Sequence, residues 1–116
     1  TITGEKRLKK MLSFIYENYQ NEISVEDIAN AANISKSECF RCFRTMIEKK
    51  PIEFLNEYRL KKALELLAAA DMPVTEVCLS CGFGHISYFG KLFRDVYGMS
   101  PREYRNRAAE RLEAKI

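Results

Sequence analysis

Four cysteines fall into two C-x-x-C pairs, Cys39 with Cys42 and Cys78 with Cys81, the ligand spacing of a four-thiolate zinc site or of a dithiol redox couple. Against both readings, the chain carries a second copy of the same pattern whose equivalent positions hold Phe89, Leu92, Ala29 and Ala32, none of which binds metal. The cysteines are therefore read as small buried hydrophobes that stay reduced, and no metal or other cofactor is expected. The single histidine, His85, lies in a turn and outside any cluster. A lone turn histidine is ordinarily a surface or capping residue; the functional alternative is that it approaches a phosphate at a helix start, where free N–H groups favour an anion. No glycine-rich phosphate loop and no nucleophile elbow is present, so the chain is read as binding rather than catalysing.

The remaining chemistry is basic. The net charge is only +3 over 116 residues. Yet Ser35 to Lys50 alone carries five Lys/Arg against two Glu, which concentrates the excess on one segment and suits a phosphate-bearing partner. A solvated helix face is the plain alternative for a charge cluster taken alone. No run approaches the ~20 apolar residues of a membrane span, and no secretion signal opens the chain. Membrane partners are not indicated and a cytoplasmic location is expected. Thr1 to Gly4 lacks an initiator methionine and reads as a linker remnant, which suggests a piece of a longer protein.

The elements that position these residues are legible from spacing. Phe89, Leu92, Phe93 and Val96 stand at i, i+3, i+4 and i+7, one apolar stripe on a helix, so Ser87, Gly90, Lys91 and Arg94 face away from the core. Gly98 ends that helix, and Ser100-Pro101-Arg102-Glu103 opens the next with a capping box and proline at N1. Upstream, Val77 and Cys78 pack a shorter helix closed by the turn Cys81-Gly82-Phe83. A short helix, a glycine turn and a helix with a basic outer face make a helix-turn-helix.

The first half repeats the device. A shift of fifty positions sets Cys39, Cys42, Phe43 and Met46 on Phe89, Leu92, Phe93 and Val96, Arg41 and Arg44 on Lys91 and Arg94, and Pro51 on Pro101. Upstream the shift is forty-nine, so the second turn has one extra residue. Leu8, Met11, Leu12, Ile15 and Tyr19 make an amphipathic first helix ending near Asn18 to Asn21; Ser24 and Asp27 cap a second; Ser35 and Glu38 form a capping box on a third, which runs to about Ile47. From Pro51 the stripe of Ile52, Leu55, Tyr58, Ala63, Leu66, Leu67 and Ala70 sustains a fourth helix. Units of roughly fifty residues bury little core alone, and no Gly/Ser linker separates them, so this helix is the connector. The organisation is a first unit over 1–50, a connecting helix over 51–70, and a second unit over 71–116 whose charged, Ala-rich end is a fraying helix.

R-L-x-x-A-x-x-L-L at Arg59, Leu60, Ala63, Leu66 and Leu67, followed by V-C-x-x-C-G-F, S-Y-F, L-F-R and G-x-S-P-x-x-Y-R, resembles the DNA-binding domain of AraC/XylS-type transcription regulators, over about Leu8 to Arg107. The resemblance implies an all-α domain of about seven helices, two helix-turn-helix units joined by a long central helix, each placing its second helix in a major-groove segment of duplex DNA. It also implies a bacterial activator or repressor that engages RNA polymerase and carries a sensing or dimerisation domain outside these residues. Two departures stand out. Glu48 occupies the place of Gly98, implying a less sharply ended third helix, and His85 occupies a place where the family often has Asp, Asn or Ser.

On that basis the base-facing positions are Ser37, Phe40 and Arg41 in the first unit and Ile86, Ser87, Gly90 and Lys91 in the second. Arg41 suits guanine O6 and N7. Phe40 either touches thymine methyls or packs over a neighbour. The second set is poor in hydrogen-bonding groups, so its helix positions more than it reads. Lys36, Arg44, His85, Arg94 and Arg102 are expected on the DNA backbone. A connector of about twenty residues spans about 30 Å, near the ~34 Å recurrence of major-groove segments on one DNA face. The rival classes are a thiol-based metal or redox module and a helical protein-interaction module, which would need a broad exposed apolar patch.

Overall fold

The structure, a computed structural model, describes residues 2–69 and 71–115. Among them are seven helices and no strand: α1 (Ile2–Asn18), α2 (Val25–Ala31), α3 (Lys36–Met46), α4 (Pro51–Ala69), α5 (Val74–Ser80), α6 (Ile86–Tyr97) and α7 (Pro101–Lys115). The chain divides into two compact units, Thr1–Tyr58 and Arg59–Ile116. In the first, Met11, Ile15, Ile28, Cys39, Phe43 and Leu55 form the centre of a core. In the second, Leu60, Ala63, Leu67, Cys78, Phe89 and Phe93 do the same. Helix α4 thus lends Leu55 to one core and Leu60, Ala63 and Leu67 to the other; the stripe residue Ala70 lies outside the described residues.

The caps carry the predicted chemistry. Ser24 Oγ accepts from the Asp27 amide at 3.1 Å while Asp27 Oδ2 accepts from the Ser24 amide at 2.9 Å. Ser100 and Glu103 exchange the same two bonds, at 3.1 and 3.2 Å. At Ser35 only half of the expected box forms. Its Oγ accepts from the Glu38 amide at 3.1 Å, but the Glu38 carboxylate turns away to other partners.

Other differences have simple causes. Ile2–Gly4, read as a linker remnant, is the first turn of α1, which runs seventeen residues. Val96 and Met46 close the predicted stripes yet are 49% and 37% exposed. The stripe drifts by the last turn of a 3.6-residue helix, so Tyr97 and Ile47 turn inward instead; the Tyr97 ring meets Phe93 at 4.8 Å. The end of α3 is as sharp as that of α6, because Glu48 adopts the left-handed conformation (φ 64°) that Gly98 adopts at φ 75°. The turn before each second helix is also shared, with Asn33 at φ 55° matching Gly82 at φ 92°. Ile34 N donates to Ala29 O at 3.1 Å, and Phe83 N to Cys78 O at 3.0 Å. The extra residue of the second turn is then Gly84.

Two arginines hold the second unit together. Arg59 is buried beneath its hydrophobic neighbours, its guanidinium 6.0 Å from the Phe83 ring centroid. Arg105 donates through Nε to Leu67 O at 3.1 Å and through Nη2 to Met72 O, satisfying a carbonyl in the last turn of α4.

Candidate nucleic-acid interface

In each helix-turn-helix the second helix is held from behind. Cys39 and Phe43 bury one side of α3, and Phe89 and Phe93 bury one side of α6. What remains outward is the set named from spacing. Ser37, Phe40, Arg41, Ile86, Ser87 and Lys91 are exposed, and Gly90 is half-buried. Lys36, Arg44, His85, Arg94 and Arg102 are exposed as well.

On α3 the Arg41 side chain is 67% exposed and lies 4.0 Å from Glu38 Oε2. Phe40 lies 39% exposed and lines a shallow groove with Arg44, Lys49 and Lys50 and with Glu48 and Glu53. Lys36 pairs with Glu26 at 3.6 Å, and Lys49 with Glu57. Exposed pairs of this kind contribute little to stability and yield readily to a phosphate.

Helix α6 differs in character. His85 is its N-cap residue but makes no side-chain capping bond. Ile86 and Tyr88 are 46% and 51% exposed, and a Cβ added at Gly90 would meet nothing within 4 Å. Its cations are Lys91 and Arg94, the latter 3.9 Å from Glu103. Tyr88, with an exposed ring and a hydroxyl, escaped the spacing argument because it sits between the stripe and the outer face.

Burial sets the character of the thiols. Cys39, Cys78 and Cys81 are buried in their cores and Cys42 is half-buried, all four free of disulfides. Burial, reinforced by Cys42, pushes the Cys39 thiol up to about 11; burial, then Cys78 and Glu65, does the same to Cys81. Among the described residues no three His, Cys, Asp or Glu side chains gather as metal ligands. No helix among them is long and apolar enough to cross a membrane.

The family model of a helix-turn-helix domain matches residues 28–107. An uncharacterized HTH-type transcriptional regulator of Bacillus subtilis, YdeC, is 40% identical over 99 residues, 85% of this chain and 34% of that protein. The HTH-type transcriptional regulator MtrA of Neisseria gonorrhoeae is 32% identical over 107 residues, 92% of this chain and 36% of its own. The chain thus spans about a third of the length of the curated relatives it matches. Among solved structures, an AraC-type regulator from Chromobacterium violaceum superposes with a TM-score of 0.85 at 26% identity, over 94% of this chain and 97% of that one. The DNA-binding domain of AdpA, a global transcriptional factor solved with a target DNA, gives 0.86 at 30% identity, over 90% and 95%.

Proposed function

The chain belongs to the AraC/XylS-type helix-turn-helix DNA-binding domains of transcription regulators, and on that premise we propose that it binds duplex DNA by sequence, laying α3 and α6 in major-groove segments to regulate transcription. One observation carries the reading: both second helices are seated on buried residues, Cys39 and Phe43 in α3 and Phe89 and Phe93 in α6, and turn Ser37, Arg41, Arg44, Ser87, Lys91 and Arg94 outward. The DNA-bound relative supports it.

In this reading Arg41 offers guanine two parallel donors, worth about 1–3 kcal/mol of discrimination. Ser37 flanks it, and the half-exposed Phe40 meets thymine methyls. Ile86, Ser87, Gly90 and Lys91 form the second reader, where apolar contact and close backbone approach take the place of hydrogen bonding. Lys36, Arg44, His85, Arg94 and Arg102 hold the phosphates and fix register. The chain works by binding, with no bond made or broken. In the cell we place it in the cytoplasm as part of a longer regulator with a sensing or dimerisation domain, acting through RNA polymerase.

Selection of binding sites from random duplexes by this chain tests the proposal. The expected product is a consensus with a guanine whose preference vanishes in Arg41→Ala. Recovery of unenriched sequences would end it.

A further inference from the structure

We infer that Arg7 on α1 and Glu38 on α3 are positioning residues that set the base preference of Arg41 without themselves reaching DNA. The inference rests on the reading of α3 as a base reader. It begins from an irregularity in the caps. At the starts of α2, α4 and α7 the acid three residues into the helix accepts from the backbone amide of the capping residue: Asp27 from Ser24, Glu53 from Lys50, Glu103 from Ser100. Glu38 holds the equivalent place in α3 and leaves that bond unmade. Its Oε2 instead accepts from Arg7 Nη1 at 3.0 Å, and its Oε1 from Ser35 Oγ at 3.4 Å.

Arg7 is thirty-one residues away in sequence, and its approach is not incidental. Cys42 Sγ lies 3.7 Å from Gly4 O, so the first turns of α1 run beside α3. Thr3, Gly4 and Arg7 face Glu38, Arg41 and Thr45 across a groove of about 310 Å³. One carboxylate oxygen therefore serves two guanidiniums, at 3.0 Å to Arg7 and 4.0 Å to Arg41.

The unequal distances assign unequal roles. The Arg7 bond, at 3.0 Å, is the shorter of the two, and the Ser35 hydroxyl lies 3.4 Å from the other oxygen, so Glu38 keeps partners within the protein when Arg41 departs. Arg41 is the partner free to leave. When it turns into the groove it gives up its share of the carboxylate. A guanine edge with two acceptors replaces that share, whereas a base edge with one acceptor or none replaces it incompletely. Glu38 thus penalises the wrong base. Arg7 keeps Glu38 from closing fully onto Arg41 and masking it.

The experiment compares the parent chain with Glu38→Gln, Arg7→Met, Arg7→Lys and Arg41→Ala, and with each of the first two combined with Arg41→Ala. Affinities are measured for the selected site and for its variants at every base pair, with thermal melts alongside. At the base pair that Arg41→Ala identifies, Glu38→Gln and Arg7→Met should each shrink discrimination by about five- to tenfold, on the scale of one bidentate contact. Other base pairs should be unaffected, Arg7→Lys should retain discrimination, and neither change should add anything in the Arg41→Ala background. Unchanged discrimination in Glu38→Gln overturns the inference. So does an Arg7→Met that weakens all duplexes alike with a salt slope smaller by about 0.9, which would make Arg7 a phosphate contact. A melting loss in Arg7→Met with no rescue of discrimination by Arg7→Lys would leave it a packing residue. If Arg41→Ala itself alters no base preference, the reading of α3 fails first, and this inference falls with it.

Discussion

Single residues carry the departures from pattern. The fifty-residue repeat puts Glu48 where the second unit has Gly98, and the structure gives both the same left-handed backbone. A side chain in that conformation costs about 1–2 kcal/mol, partly offset by the freedom that glycine loses on folding. Glu48→Gly should therefore raise stability by about 0.5–1 kcal/mol in denaturant melts. A loss of stability would mean that the Glu48 side chain contributes more than its backbone costs. The cysteines make a second test at this scale. Thiols whose pKa is raised on folding stabilise the native state fully below their ordinary value of 9.0, and that contribution disappears as pH rises through about 11. Stability should accordingly decline between pH 9 and 11, and less steeply in a Cys39→Ala, Cys81→Ala double variant. In native protein at neutral pH a thiol reagent should modify the half-buried Cys42 before the other three. Fast labelling of Cys81 would contradict its burial.

Helices show how much the sequence makes readable. Every helix start that has a Ser cap or a Pro at N1 was legible, because capping side chains act within one turn and leave a local signature. The outward faces of α3 and α6 were legible for the same reason: they are the complement of a stripe. What was not legible lay at longer range or at helix ends. The start of α1 has no cap signal and is ordered by packing along α3. Arg59 and Arg105 stand out only as motif residues; that the first is buried near Phe83 and the second bonds the Leu67 carbonyl at the end of α4 depends on packing that no local pattern records. Glu38 has a capping-box spacing, yet a residue thirty-one positions away claims its carboxylate. Within α6 the energetics follow position. Phe93→Ala should cost about 3–5 kcal/mol, whereas Val96→Ala, at an exposed end of the stripe, should change stability by about 0.5 kcal/mol or less. Gly90→Ala should stabilise the helix by about 0.5–1 kcal/mol, since the added Cβ has open space around it. If Gly90 lies against DNA, the same change should weaken binding. Greater stability with undiminished affinity would remove Gly90 from the second reader.

At the scale of the whole molecule, two small units draw on one helix for their cores, and each turns the outer face of its second helix-turn-helix helix to solvent. The proposed consequence is a footprint of about two helical turns, with protection in two major-groove segments. The central claim is that the outward faces divide into base readers and phosphate contacts, and affinity measured against salt concentration tests it most directly. With the selected site and its single-base variants, Arg44→Ala should lower affinity for every duplex alike and reduce the log–log salt slope by about 0.9, the share of one neutralised phosphate. Arg41→Ala should erase discrimination at one or two base pairs and leave the preferences elsewhere unchanged. Equal losses on all duplexes for Arg41→Ala, or a salt slope for Arg44→Ala identical to the parent's, would contradict the account.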